Sequence, residues 1–161
     1  MRTFHIAVSR DINAPPDRVY ALLADYYDGH PRILPRPPFV SLEVEKGGVG
    51  AGTVIRFEMR VGRRTRTFRA YITEPQPGRV LVETDLQRGG LTAFIVDTLD
   101  DGQRCRVTIS TELPIGGGPI GMLQRYFVKR LLPPTYAREL ELLAGCVREN
   151  ATQEQAAADG R

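Results

Sequence analysis

"INAPPDRVYALLADYYDGHPRILP", residues Ile12 to Pro35, decides the fold of this chain. Ile12 ends an alternating segment, and Pro15 and Pro16 pre-set φ for a helix start, where a missing N–H costs nothing. Val19, Leu22, Leu23 and Tyr26 then fall at i, i+3, i+4 and i+7, an apolar stripe on one helix face. Gly29, Pro31 and Pro35 leave room for only another turn or two of helix before the chain becomes extended. Two short helices thus interrupt the chain between its first strand and everything that follows.

Working outward, strands appear on both sides. Phe4, Ile6, Val8 and Ile12 alternate with polar residues over Phe4 to Ile12, a strand with one face inward. After the detour come Phe39–Glu45, a glycine-rich turn at "EKGGVGAG", Thr53–Val61, a tight connection at Gly62, and Arg64–Glu74. "PQPG" then turns into Arg79–Asp85, Gly89-Gly90 into Leu91–Leu99, and "DDG" into Arg104–Leu113. Seven strands joined by short turns predict a largely antiparallel sheet.

The last element is a long helix opening near Pro119, striped by Leu123, Phe127 and Leu131, then by Tyr136, Leu140, Leu143 and Val147. Pro133-Pro134 between the stripes removes two N–H donors and predicts a kink or brief interruption. From Asn150, "NATQEQAAADGR" has no apolar face and reads as a disordered tail. The expected organisation is therefore one domain over residues 1–149 and a tail over 150–161.

Composition fits that picture. The chain has 161 residues, 42% apolar and 25% charged, as in ordinary globular domains. No apolar run approaches the ~20 residues of a membrane span, so stable membrane insertion is not expected. The N-terminus begins alternating at once, without a signal-like apolar stretch, which makes the cytoplasm the default location. Cys105 and Cys146 lie in a strand and a helix with apolar neighbours and read as buried free thiols. The net charge of +3 rests on arginine, with Lys46 and Lys129 the only lysines, and carries no argument for nucleic acid.

A sheet of seven strands must bury one face, and only the terminal helix is long enough to cover it. Such a sheet twists and curls around that helix, and the two short helices plug one end of the curl. The curl cannot close completely, and the gap becomes a pocket with apolar and aromatic walls. Strand parity assigns that wall to Ile55, Phe57, Met59, Phe68, Ala70, Val82, Phe94, Val107 and Ile109, with Tyr26, Leu123 and Phe127 added from the helices.

The chain resembles the helix-grip superfamily of START lipid-transfer domains, birch-pollen-allergen-like proteins and bacterial polyketide cyclase/dehydrase-like proteins, often called SRPBCC. The resemblance lies in "INAPPDRVYALLADY" after the first strand, "HPRILP" in the detour, "YITEPQPGRVLVE" from Tyr71 to Glu83, and "ARELELLAG" from Ala137 to Gly145. It is nearest the polyketide cyclase/dehydrase-like branch. It implies an α+β helix-grip fold: a seven-stranded curved antiparallel sheet around a long C-terminal helix, with two short helices between strands 1 and 2. It carries no fixed catalytic set onto residues of this chain, and no cofactor.

Individual motifs add little chemistry. Gly116, Gly118 and Gly121 match G-x-G-x-x-G, but no parallel strand follows and Pro119 removes an amide a phosphate would need. The run reads as a strand-to-helix hinge. His5 and His30 have no partners at metal-ligand spacing, and His30 reads as a turn residue. No G-x-S-x-G elbow exists for serine hydrolysis. In the ladder Arg56, Arg60, Arg63, Arg64, Arg66 and Arg69, the residues Arg64 and Arg66 share parity with Phe68. Facing inward, Arg66 would hold a carboxylate or phenolate by two hydrogen bonds; the alternative is that both reach water past the curl. Arg10 shares the inward parity, and pairing with an acidic residue is its plainer use. Tyr26, Tyr126 and Tyr136 offer hydroxyls on apolar bodies, suited to a pocket or to core packing.

Three functions remain. The first is a module, monomeric or homodimeric, that binds an apolar or aromatic small molecule. The second is a cyclase/dehydrase-type enzyme needing only a shaped pocket and one or two acid–base groups. The third is a lipid carrier using its arginines on an anionic membrane surface. A wholly apolar pocket favours the first; polar groups converging on one point within it favour the second.

Overall fold

The computed structural model describes residues 2–161. Strand β1 (Arg2–Ile12) leads into helices α1 (Pro16–Ala24) and α2 (Gly29–Ile33). Strands β2 (Phe39–Lys46), β3 (Val54–Val61), β4 (Arg64–Gln76), β5 (Val80–Asp85), β6 (Leu91–Leu99) and β7 (Arg104–Ile115) follow, and α3 (Gly118–Asp159) ends the chain. The sheet order is β1-β7-β6-β5-β4-β3-β2, antiparallel throughout. The seven strands, the two short helices and the long terminal helix are those the alternation and the detour predict.

The core lies between the concave face of the sheet and the rear of α3. Leu81, Phe94 and Ile109 form one inward row across β5, β6 and β7, and Leu140 and Leu143 pack over this side from the helix. Burying a side chain of this size contributes roughly 1.5–3 kcal/mol. The detour is clamped by the glycine-rich turn between β2 and β3: Tyr26 N–H donates to Gly48 O at 2.8 Å, and Gly50 N–H to Ala24 O at 2.9 Å. Gly48, at φ +137, lies under the ring of Tyr27, where a Cβ would come within 1.9 Å of a ring atom. Only glycine fits there.

Two expectations about α3 change. The helix passes through Pro133 and Pro134 without a break, and it continues beyond Glu149 to Asp159. The extension is fully helical where a disordered tail is expected from the missing apolar face. Its alanines, glutamates and glutamines have high intrinsic helix propensity. An exposed ion pair, Arg18 to Glu154 at 2.7 Å, and a hydrogen bond from Arg32 to Asn150 Oδ1 at 3.2 Å also tie the region back to the detour. In the first turn of the helix, packing requires a glycine: a Cβ on Gly121 would sit 1.8 Å from Gly116 O.

Candidate functional site

Between the sheet and α3 lies a cavity of about 290 Å³. One wall comes from alternate residues of β3 (Ile55, Phe57, Met59 and Val61) and their β4 neighbours Phe68 and Ala70. Phe57 and Phe68 stack at 5.2 Å. Leu34 and Phe39 from the detour's exit, Phe94 from β6, and Phe127, Val128, Leu131 and Leu132 from α3 extend the apolar lining, and Arg69 and Asp85 also line the cavity.

The inner end of the cavity is polar. Glu83 on β5, His30 on α2, Thr92 on β6, Thr111 on β7, and Tyr136 and Glu139 on α3 all line it. The sheet register explains the convergence. Glu83 is opposite Ile72 on β4 and Thr92 on β6, and Thr92 is opposite Thr111, so three polar side chains share one inward row. Tyr136 and Glu139 are three residues apart on α3 and therefore share a face above that row.

Glu83 is the hub. The buried Tyr26 hydroxyl donates to Glu83 Oε1 at 2.7 Å, and His30 Nε2 lies 3.5 Å from the same oxygen. His30 is 2% exposed, its ring stacks on Tyr26 at 4.4 Å, and Phe94 meets its edge at 5.1 Å. His30 Nδ1 donates to Leu23 O at 2.7 Å, so Nδ1 carries a proton and Nε2 is the nitrogen turned to the carboxyl group. Opposite stands Glu139, 2% exposed, with Oε2 buried and without a hydrogen-bond partner. Burial first, and the charge of Glu83 second, push the Glu139 carboxyl well above its ordinary range. Burial and Glu83 likewise raise the Tyr26 hydroxyl well above 10.0. Thr92 Oγ1, Thr111 Oγ1 and the Tyr136 hydroxyl form a chain, with contacts of 2.9 and 2.5 Å. Burial pushes Tyr136 up to about 12. Among the described residues, no group of three or more His, Cys, Asp or Glu is arranged to hold a metal ion.

The residues assigned to the wall from sequence divide into three groups. Ile55, Phe57, Met59, Phe68, Ala70, Phe94 and Phe127 line the cavity. Tyr26, Val107 and Ile109 are buried beside it in the core, without forming its surface. Val82, Leu123 and Arg66 are elsewhere. Val82 belongs to a row with Ala93, Ser110 and Ala7, on the opposite face from Leu81 and Glu83. Its parity was ambiguous because Val80, Leu81 and Val82 are all apolar, and β5 pairs with β4 across an irregularity between Thr73 and Gln76. Leu123 lies on the front half of α3 and is 57% exposed, as is Tyr126. Arg64 and Arg66 have the inward parity, opposite Val61 and Met59, but are exposed beyond the lining. Arg10 is exposed on the edge strand β1.

Sequence reasoning missed Glu83, Glu139 and the lining role of His30. A signal existed for each carboxyl group. Glu139 falls on the stripe of Tyr136, Leu140 and Leu143, and Glu83 shares parity with Leu81. A charge on an apolar stripe is a candidate functional group, because burying it costs free energy that packing alone does not recover.

A family model described as "Polyketide cyclase / dehydrase and lipid transport" matches residues 3–147. A search of the curated proteins finds no match. Among solved structures, the KanY protein is 26% identical, with a TM-score of 0.79 over 92% of this chain and 99% of that one. The Zhui aromatase/cyclase from Streptomyces sp. R1128 is 19% identical, with a TM-score of 0.77 over 93% of this chain and 96% of that one. Norcoclaurine synthase from Thalictrum flavum is 16% identical, with a TM-score of 0.70 over 93% and 97%. At such identities these last two likenesses speak to the fold alone.

Proposed function

The chain belongs to the polyketide cyclase/dehydrase and lipid transport family, and on that premise we propose that its cavity binds an apolar carbonyl compound and catalyses proton transfer next to the carbonyl. The observation that carries this reading is the meeting of Glu83, His30 and Glu139 at the inner end of a largely apolar cavity. A site that only stored an apolar molecule would gain nothing from a buried carboxyl group with an unpartnered oxygen beside a second, largely buried one.

The two carboxyl groups suit different roles. Glu83, held by the Tyr26 hydroxyl and backed by His30, takes a proton from the carbon beside the carbonyl. Glu139, kept neutral by burial, gives its proton to the carbonyl oxygen as the C–H bond breaks. The product is an enol, and the proton gained by Glu83 balances the one lost by Glu139. An enol formed in a folded chain can attack a second carbonyl of that chain, or, where a β-hydroxyl is present, expel water. The apolar walls supply orientation, which can account for much of the rate of an intramolecular closure.

The test is deuterium incorporation. The protein in D₂O is incubated with 4-phenyl-2-butanone, an apolar aryl ketone, and exchange at the carbons beside the carbonyl is followed by NMR. Exchange should exceed that in buffer, and Glu83→Gln should slow it by about 10²–10⁴-fold with ketone binding retained by thermal shift. Ketone binding without exchange in the wild-type protein overturns the reading and leaves a carrier.

A further inference from the structure

The hairpin formed by β3 and β4 changes character along its length. Near its base, Arg56 pairs with Glu43 and Arg69 pairs with Glu45. Towards its tip stand Arg60, Arg63, Arg64 and Arg66, all exposed and, among the described residues, without a carboxylate in salt-bridge reach. Two of these four belong to the cavity's side of the sheet. Arg66 is the cross-strand partner of Met59 and Arg64 that of Val61, and both partners line the cavity. Directly opposed side chains stand about 5 Å apart at Cβ. Two free guanidinium groups therefore border the outer rim of a largely apolar cavity whose inner end holds Glu83 and Glu139; Arg69, paired with Glu45, and Asp85 line it between the two ends. On α3, Arg125 and Lys129 lie over the Phe4 ring of β1, at the opposite edge of the sheet, while Arg88 of the β5–β6 turn lies 4.6 Å over the Phe68 ring and within 4.0 Å of Asp85.

We propose that the ligand of this cavity is an amphiphile with an anionic end, a carboxylate or phosphate, held at the rim by Arg64 and Arg66 while its apolar body fills the cavity. The row of Glu83 meets β4 at Ile72, six residues from Arg66, a span of roughly 20 Å at the rise of a strand. A compound reaching both ends is thus an elongated chain rather than a single ring. The guanidinium fork suits both oxyanions, since each accepts two parallel hydrogen bonds. The rim preference rests on the cavity being a ligand site and not on the proton-transfer chemistry at its inner end.

Dodecanoate, dodecyl phosphate and dodecanol, each below its micelle concentration, separate the possibilities by calorimetry. Both anions should bind about tenfold more tightly than the alcohol, and the advantage should shrink as salt is raised. Hexanoate, too short to span the cavity from the rim, should bind much more weakly than dodecanoate. The Arg64→Met/Arg66→Met double variant should erase the anion preference while leaving dodecanol affinity within about twofold. Arg66→Lys should keep part of the preference. Glu83→Gln should leave it intact, so loss of proton exchange and loss of anion preference are separable results. Equal affinity for dodecanol and the anions overturns the proposal, as does a preference that survives the double variant. Flotation with phosphatidylserine and phosphatidylcholine vesicles closes the remaining route. Arginine-dependent capture by the anionic vesicles, without preference among the soluble amphiphiles, assigns the cations to a membrane surface and also overturns it.

Discussion

The two halves of α3 share a helix and little else. Behind Pro133-Pro134, Tyr136, Glu139, Leu140, Leu143, Cys146 and Val147 are buried against the sheet and the detour. Ahead of it, Ile120 and Met122 are 73% exposed and Leu123, Tyr126 and Phe127 are 57% exposed. The rear half is a piece of core that happens to carry a carboxyl group. The front half roofs a cavity that contains no side chain to press against it. One stripe periodicity predicts both halves, which shows that an apolar stripe records what a helix faces and not whether that space is filled.

The sharpest way to break the comparison is to cut the same side chain from each half. Leu143→Ala should cost about 2–5 kcal/mol, because the removed atoms leave a hole in packed surroundings. For a chain of this size each kcal/mol lowers the melting temperature by roughly 2–4 °C. Leu123→Ala should change stability by no more than about 0.5 kcal/mol. Equal losses in a thermal melt would mean that the front half is packed as well as the rear.

A smaller effect, of opposite sign, belongs to Glu139. Its carboxyl group is raised above 4.5 in the folded protein, so below pH 4.5 it is neutral folded or unfolded and brings no ionisation penalty. As pH rises past that value, the unfolded chain ionises freely and the folded one does not, so the folded state loses stability until its own raised pKa is passed. Glu139→Met removes this penalty and the unpartnered oxygen. It should raise stability at pH 8 by about 1–3 kcal/mol, with the gain narrowing as pH falls towards 4.5. A gain independent of pH would leave only apolar packing and the removal of the unpartnered oxygen as its sources.

The smallest effect concerns the helical extension. Its ties to the detour are an exposed ion pair, Arg18 to Glu154, which contributes about 0–1 kcal/mol, and an exposed hydrogen bond from Arg32 to Asn150. Deleting residues 150–161 should lower the melting temperature by no more than about 4 °C, and a larger loss would show that the extension belongs to the folding unit.

The strands were legible because their alternation is local: Ile55, Phe57 and Met59 against Arg56, Glu58 and Arg60 need no partner to be read. The apolar wall followed from the same parity. The polar end did not, because its members come from α2, β5, β6, β7 and α3, and only the register of two strand pairs brings Glu83, Thr92 and Thr111 into one row. His30 looked like a turn residue beside Pro31, and its burial depends on the clamp that the β2–β3 turn places on the detour. Val82 failed for a simpler reason, since three consecutive apolar residues carry no parity. The helical extension escaped notice because helix propensity, without an apolar stripe, leaves no periodic signal.

The sheet order has a consequence for synthesis. β1 is made first, yet its partner is β7, and the pairing Ile12↔Cys105 already spans most of the chain. At about 5–20 residues per second, a ribosome needs roughly 5–20 s to travel between them. For that interval Phe4, Ile6 and Val8 form an apolar strand with both edges open, while β2 to β6 can already pair by short hairpins. Arrested nascent chains ending before β7 should leave β1 accessible to protease and to chaperones that bind extended apolar segments, and chains long enough to expose β7 should protect it. The first strand out of the tunnel is thus the last to find its place.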